Sequence, residues 1–142
     1  MYEILGKIQA ELKVPKNRFN KFGKYNYRNT DDIVEAVKPL CAKHGTTLTL
    51  SDTVVEVGGR VYVCATASIT DGTKHVESLG WAREPLAQAG MAEPQITGSA
   101  SSYARKYALN GLFAIDDEQD ADATNTHDKE KSVTPANSNF QI

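Results

Sequence analysis

The chain has 142 residues, with a hydrophobic fraction of 40% and a charged fraction of 24%, which are ordinary values for one soluble globular domain. Its longest uninterrupted apolar run covers residues 61–65, far fewer than the roughly 18 residues that a membrane helix needs. The N-terminus is charged where a secretory signal would be apolar, and two cysteines without zinc spacing predict buried free thiols in a reducing compartment. These features exclude a membrane protein and a secreted disulfide-stabilised domain, and they predict a cytoplasmic protein.

Charge is distributed unevenly along the chain. Residues 1–115 hold 14 Lys and Arg against 11 Asp and Glu, whereas residues 116–142 hold 2 against 7. The second segment also has too few apolar side chains to offset the entropy that a chain loses on folding. We therefore predict a folded domain over residues 1–115 and an acidic, disordered tail over residues 116–142.

Basic and aromatic residues are interleaved between Lys13 and Arg28, a segment that we call the basic arm. It holds six cations, four aromatic rings and no acidic residue. Proteins hold single-stranded nucleic acid with these residue types, because cations contact phosphates while rings stack on bases. The pattern is equally compatible with phenylalanines that fill the core and lysines that solvate a loop. The arm has no helical period and is predicted to be an ordered loop.

Two helices are predicted in the first 45 residues. The first has apolar residues at helical spacing, which are Tyr2, Leu5, Ile8 and Leu12. Pro15 ends this pattern, because the residue before a proline is disfavoured in the helical region. The second helix has Thr30 as its predicted N-cap and Gly45 after its last turn. Pro39 lies inside the second pattern and predicts a kink or an early break.

The period then changes to that of β-strands. Turn signals at Gly58–Gly59 and Asp71–Gly72 separate β-rich runs, the last of which is His75–Arg83. These runs predict an antiparallel meander of three to four strands. Residues Gln95–Leu112 return to helical spacing, and one side of this helix carries small residues that permit close approach of a strand or a neighbouring subunit. The predicted fold class is α+β.

Catalytic and metal-binding motifs are not found in the sequence. It has no phosphate-binding glycine loop and no nucleophile elbow, and His44, His75 and His127 are far apart in the chain. The acidic residues between Asp116 and Asp122 lack ligand spacing, which favours a solvated charge run over a cation site. We therefore predict a protein that is not an enzyme and that uses no metal ion or other cofactor.

Three segments of the chain carry more specific patterns. They are Tyr25–Arg28 with Asp31–Leu40, the strand end Gly80–Trp81, and Pro94–Ile115 with its run Tyr103–Leu109 and the acidic continuation from Asp116. Together they resemble the ERF (essential recombination function) family of phage single-strand annealing proteins, over nearly all of residues 2–117. The resemblance implies a β-β-β-α core like that of the wider annealing superfamily, and homo-oligomers that are rings or filaments. It also implies annealing of complementary strands without ATP, in a bacterial host cell.

The residue pattern and the resemblance together predict a single-stranded DNA site. An annealing protein must hold the strand by its phosphates and leave the base edges free to test pairing, so cations and a few rings should make the contacts. Tyr25 and Tyr27 are predicted to stack on bases, whereas the single tryptophan, Trp81, is predicted to lie in the core. The predicted phosphate contacts are Lys21, Lys24, Arg28, Arg60, Lys74, Arg83, Arg105 and Lys106.

Two other functions also fit the sequence. One is a passive single-stranded DNA-protecting protein, and the other is a partner-binding module that acts through its acidic tail. The tail could compete with DNA as a polyanion, anchor a protein partner through Phe140 and Ile142, or only add solubility. Candidate protein partners are a host single-strand binding protein and a phage exonuclease.

Overall fold

The computed structural model describes residues 1–86 and 90–116, which form three helices and five strands. In chain order these are helix α1 (Tyr2–Glu11), strands β1 (Arg18–Asn20) and β2 (Tyr25–Tyr27), helix α2 (Thr30–Lys43), strands β3 (Thr47–Val57), β4 (Arg60–Thr70) and β5 (His75–Arg83), and helix α3 (Glu93–Phe113). The predicted α+β class is confirmed. The predicted tail beyond Asp116, like residues 87–89 of the segment before α3, lies outside the described residues.

Strands β3, β4 and β5 form one antiparallel sheet in that order, which confirms the predicted meander with three strands. Val57 pairs with Arg60 across the first turn, and Thr70 pairs with His75 across the second. Both residues of the Gly58–Gly59 turn have positive φ, 59° and 78°, which residues with a Cβ atom rarely adopt. One face of β4 is buried beneath the helices through Val63, Ala65, Ala67 and Ile69.

Helix α3 packs on the inner face of β4 and β5 through small residues. At Gly80 of β5 the backbones are so close that a Cβ atom would lie 2.3 Å from the carbonyl oxygen of Ala104. It would also lie 2.4 Å from the amide nitrogen of Ala108. The small side of the helix therefore permits close approach of a strand, as the sequence predicts.

Helices α1 and α2 complete the core beside α3. Among the largest fully buried side chains are Ile8 of α1, Ile33 and Val37 of α2, and Leu109 of α3. Phe113, near the end of α3, is 2% exposed and belongs to the same core. The helices and the inner face of the sheet thus share one hydrophobic cluster, which fixes the position of α3 relative to the meander.

Helix α2 differs from its prediction in two details. Its N-cap is Asn29 rather than Thr30: the Asn29 side chain accepts a hydrogen bond from the Asp32 amide at 2.9 Å, and the Asp32 carboxylate accepts one from the Asn29 amide at 3.0 Å. This reciprocal pair satisfies two backbone donors. With Thr30 as the cap, the third helical residue would be Ile33, whose side chain accepts no hydrogen bond. The predicted break at Pro39 is absent, because Pro39 and the preceding turn at Glu35 lie on the exposed side, where water can bond the unpaired carbonyl.

The basic arm contains a β-hairpin, where the sequence predicts a loop. Strands β1 and β2 are antiparallel, with Asn20 opposite Tyr25. The Asn20 side chain accepts hydrogen bonds from the amides of Phe22 and Gly23, and the Asn20 carbonyl accepts one from the amide of Lys24 at 2.7 Å. Strands of three residues are too short to show an alternating pattern, so the turn and not the strand sequence defines this hairpin.

Candidate nucleic-acid interface

A cleft of about 320 Å³ lies between the β1–β2 hairpin and helix α3. Its walls include Tyr25 and Tyr27 from β2, and Ser102, Tyr103 and Lys106 from α3. The rings of Tyr25 and Tyr27 meet edge to face, with their centroids 6.1 Å apart. The hairpin therefore presents two tyrosines to a face of α3 that is not used to pack on the sheet.

A second cavity, of about 650 Å³, adjoins this cleft on the other side of Tyr103. It is lined by Trp81 and Arg83 from β5 and by Tyr103 and Tyr107 from α3. Ser99 and Tyr103 line both spaces, so the two are adjacent. The rings of Tyr103 and Tyr107 are one helical turn apart, with centroids separated by 6.2 Å. We call the combined surface the aromatic cleft; its rings are Tyr25, Tyr27, Trp81, Tyr103 and Tyr107.

Three of the five rings of the aromatic cleft are exposed, and Tyr25 and Tyr27 are half-buried. Tyr103 is 52% exposed, Tyr107 is 41% exposed and Trp81 is 50% exposed. The prediction that Trp81 lies in the core is therefore wrong. Trp81 pairs with Cys64 across the sheet, on the face opposite to Val63 and Ala65, and reaches the cleft at the β5 edge. At this position the tryptophan is half exposed and accessible.

Several predicted contact residues lie in or beside the aromatic cleft. Tyr25, Tyr27, Arg83 and Lys106 line it directly. Lys106 is 6% exposed, so its methylene chain forms part of the wall. Lys21 and Lys24 lie at the tip of the hairpin, and both are exposed.

The base of the hairpin is attached to the start of α2 by an ion pair. The Arg18 guanidinium donates to both carboxylate oxygens of Asp32, at 2.8 and 3.0 Å. These bonds hold the pKa of Asp32 below its ordinary value, against a smaller opposing effect of burial. The charge of Lys106 contributes in the same direction. Arg18 is thus used to position the hairpin, which leaves the lysines at its tip to face solvent.

Arg28 is predicted to contact phosphate, but the structure places it inside the protein. Its side chain is 7% exposed. The Nε atom donates to the carbonyl of Val14 at 2.8 Å, and the guanidinium also donates to the carbonyl of Asp116. Arg28 therefore links the two flanks of the domain, the start of the arm and the segment after α3, and it does not line the cleft.

Arg105 and Lys106 are predicted to flank one edge of α3, but they point to different sides of it. The Arg105 Nε atom lies 3.0 Å from the Asp52 carboxylate of β3, which also accepts a hydrogen bond from Ser101 at 2.5 Å. Burial raises the pKa of Asp52, but the bonds from Ser101 and Arg105 outweigh it and leave the pKa below its ordinary value. Adjacent helix residues are about 100° apart, so Arg105 faces β3 while Lys106 faces the hairpin.

Arg60 and Lys74 lie at opposite ends of β4, outside the aromatic cleft. Arg60 follows the β3–β4 turn and donates to the carbonyl of Glu84 at 3.4 Å. Lys74 is exposed in the β4–β5 turn. A strand of this length separates its ends by roughly 33 Å, so these two cations cannot belong to one compact patch.

Three rings of the cleft were not predicted as contact residues: Trp81, Tyr103 and Tyr107. Helical spacing places both tyrosines on the apolar side of α3, yet the alanines of that helix are the residues that face the sheet. The available signal was the presence of two stripes on α3, one of small residues and one of tyrosines, because a close helix–strand contact leaves no room for large rings. For Trp81, the signal was its pairing with the non-core face of β4.

The part of the chain that the structure describes has neither a helix that could span a bilayer nor a group of three His, Cys, Asp or Glu residues that could hold a metal ion. Cys41 and Cys64 are both buried and free, as the sequence predicts. Burial raises the pKa of the Cys41 thiol. This thiol is therefore kept in its protonated, less reactive form.

Comparisons with known proteins agree with the resemblance seen in the sequence. A family model described as the ERF superfamily matches residues 1–141. The chain is similar to the essential recombination function protein of Salmonella phage P22, with 50% identity over 135 residues, or 95% of this chain and 64% of that protein. It thus spans less than two thirds of the length of this relative. A comparison with solved structures found no match.

Proposed function

This chain belongs to the ERF superfamily, and we propose that it is an ATP-independent single-stranded DNA-binding and annealing protein for phage homologous recombination. The observation that carries the proposal is the aromatic cleft. Five rings line two adjacent spaces that share Ser99 and Tyr103, together with Arg83 and the buried side chain of Lys106. Rings and cations in this combination bind single strands without regard to sequence, because every base has a π-face and every nucleotide has a phosphate.

The proposed strand path begins at the hairpin tip and follows the aromatic cleft to the end of β5. Lys21, Lys24 and Arg83 are the proposed phosphate contacts, and the rings stack on bases; Lys106, which is 6% exposed, forms part of the wall. Arg28 and Arg105 are left out of this set, because protein groups already occupy their guanidinium groups. Lys74 is left out because it lies in the β4–β5 turn, away from the path, and Arg60 is left out because its guanidinium already donates to the carbonyl of Glu84.

Contacts of this kind support annealing as well as binding. Stacking uses the faces of the bases and ion pairing uses the phosphates, so the hydrogen-bonding edges stay available to a second strand. Neutralised phosphates also reduce the repulsion between two approaching strands. The free energy for annealing comes from the duplex that forms, so the proposed reaction needs no nucleotide hydrolysis and the proposal assigns no catalytic residue.

The proposal is tested by measuring the affinity for fluorescent single-stranded oligonucleotides at several salt concentrations. A handful of phosphate contacts gives a slope of log K against log salt of about −3 to −6. Tyr103→Ala should weaken binding, and Tyr103→Phe should retain it. Tyr2→Ala, at an exposed ring that lines neither part of the aromatic cleft, serves as a matched control. A slope near zero, or a strong preference for one base sequence, would contradict the proposal.

A second measurement distinguishes annealing from passive protection. The rate at which two complementary oligonucleotides pair should rise when the protein is added. A protein that binds DNA but slows pairing would be a protector instead. Negative-stain imaging with and without single-stranded DNA tests the proposed homo-oligomer, for which rings or filaments are expected.

A further inference from the structure

Phe22, at the tip of the β1–β2 hairpin, has a side chain that is 99% exposed. It is the most exposed of the large hydrophobic side chains in the described residues. Single exposed apolar side chains are ordinary on protein surfaces, so exposure alone does not mark a site. Three other features of the tip distinguish this ring, namely the rigidity of the turn, its charge and its position.

The tip is a fixed turn and not a loose loop. The Asn20 side chain accepts hydrogen bonds from the amides of Phe22 at 2.8 Å and Gly23 at 3.0 Å, and its own amide group donates to the Tyr25 hydroxyl at 3.2 Å. Gly23 is packed so closely that a Cβ atom there would lie 2.2 Å from the Tyr25 ring. These contacts hold the backbone at Phe22 in one conformation, so little additional ordering of the turn is needed when a ligand binds.

The charge around Phe22 is entirely positive. Lys21 and Lys24 flank the ring, both are exposed, and the segment from Lys13 to Arg28 contains no acidic residue. The carboxylate of Asp32, at the base of the hairpin, is already paired with Arg18. A flat apolar ring between two ammonium groups is complementary to a nucleobase between two phosphates.

The tip is continuous with the aromatic cleft. Asn20 and Tyr25, which hold the tip in shape, are also wall residues of that cleft. The turn that carries Phe22 joins these two wall residues, so a strand that lies against Tyr25 lies next to this turn.

We propose that Phe22 inserts between adjacent bases of a single DNA strand held in the aromatic cleft, while Lys21 and Lys24 contact the flanking phosphates. The inference rests on the proposed function and adds a base-inserting element outside the cleft. An inserted ring separates two neighbouring bases and replaces their mutual stacking with stacking on phenylalanine. The strand is thereby kept open, with its bases spaced for pairing.

The experiment compares two ligands with the same number of phosphates, a thymidine oligonucleotide and an abasic oligonucleotide. Phe22→Ala should weaken binding of the thymidine oligonucleotide by about 5- to 140-fold and leave binding of the abasic one unchanged. Phe22→Tyr should bind both ligands as the unmodified chain does, because the π-face is kept. Lys21→Gln combined with Lys24→Gln should weaken binding of both ligands. The exposed position of Phe22 means that these variants keep the fold, which circular dichroism checks.

Three outcomes would overturn the inference. Unchanged binding of both ligands by Phe22→Ala would show that the ring does not contact the strand. An equal loss for both ligands, or a change of assembly mass in light scattering, would show that a protein surface covers Phe22. Failure of the unmodified chain to bind either ligand would contradict the proposed function itself, and this result differs from a loss confined to the Phe22 variants. Tyr2→Ala, which removes a 77% exposed ring on α1, is the control.

Discussion

The two β-hairpins of this protein are stabilised in different ways. The β3–β4 hairpin has strands of eleven residues, and one face of β4 is buried beneath the helices. The β1–β2 hairpin has strands of three residues without a fully buried side chain, and polar contacts from Asn20 and Arg18 hold it in place. The core therefore constrains the residues of the long hairpin, whereas the short hairpin presents side chains that the core does not use. This difference predicts that substitutions in the sheet change stability, and that substitutions in the arm change binding.

Gly80→Ala should give the largest effect, a loss of about 3 kcal/mol in the free energy of unfolding, because the new methyl group would meet the backbone of α3. Backbone atoms of a packed helix cannot move aside as a flexible side chain would. Urea denaturation measures the change. Gly98→Ala is the matched control on α3, where no atom lies within 4 Å of the new Cβ; there we expect a gain of about 0.5–1 kcal/mol. Equal stability of Gly80→Ala and the unmodified chain would show that the close contact is absent.

Arg28→Ala tests whether Arg28, although it belongs to the basic arm, stabilises the fold and does not bind DNA. We expect a loss of about 1.5–3 kcal/mol in the free energy of unfolding, because the carbonyl of Val14 loses its charged donor. DNA affinity, measured where the variant is folded, should stay unchanged. Reduced DNA affinity at unchanged stability would instead show that Arg28 contacts phosphate, as the sequence predicts.

Tyr27→Ala should show the opposite behaviour, with a loss of about 1–3 kcal/mol in DNA-binding free energy and little change in stability. Tyr27→Phe should retain most of the affinity, because the ring face is kept. On the same strand, Tyr25→Phe removes the hydroxyl that bonds Asn20. We expect a loss of about 0.5–1.5 kcal/mol in DNA-binding free energy there, which is smaller than the loss for Tyr27→Ala. Should phenylalanine at position 27 be as damaging as alanine, the hydroxyl and not the ring face would be the important group.

The smallest effect concerns the pH dependence of stability that arises from the ion pair between Asp52 of β3 and Arg105 of α3. Because the pKa of Asp52 is lowered in the folded state, its contribution to stability is complete above the ordinary carboxyl pKa and is lost as the pH falls through the lower, folded-state value. Asp52→Asn should therefore lose less stability than the unmodified chain between pH about 5 and pH about 2. The difference should be about 0.2–1 kcal/mol, because the pair with Arg105 lies near the surface. Urea denaturation across this range measures it, and parallel pH profiles would contradict the assignment.

Much of the fold could be predicted from local sequence. The strand His75–Arg83 has the predicted bounds, and both glycine turns of the meander are where the sequence places them. The α3 helix is two residues longer at its start and one longer at its end than predicted. Hydrophobic periodicity and turn residues act within a few positions of one another, so a single sequence contains them in full.

The aromatic cleft could be predicted only in part. Tyr25, Tyr27, Arg83 and Lys106 were recognisable as candidates because cations and rings cluster near them. Trp81, Tyr103 and Tyr107 were not recognised as cleft residues. Their place in the cleft depends on how β5 and the hairpin pack against α3, and no sequence pattern within one element indicates that packing. Trp81 shows this clearly, because its exposure depends on which sheet face the helices cover.

The sequence by itself determined the α+β class, the meander, the helix spacings and the location of the basic arm, because each of these follows from residues that are close in the chain. Only the tertiary structure decided which cations face solvent. Arg105 is paired with Asp52, 53 positions away, and Arg28 bonds the carbonyl of Asp116, 88 positions away. A charged side chain that is partly or fully removed from water must find a partner of its own, and that partner is chosen by the packed fold rather than by neighbours in sequence.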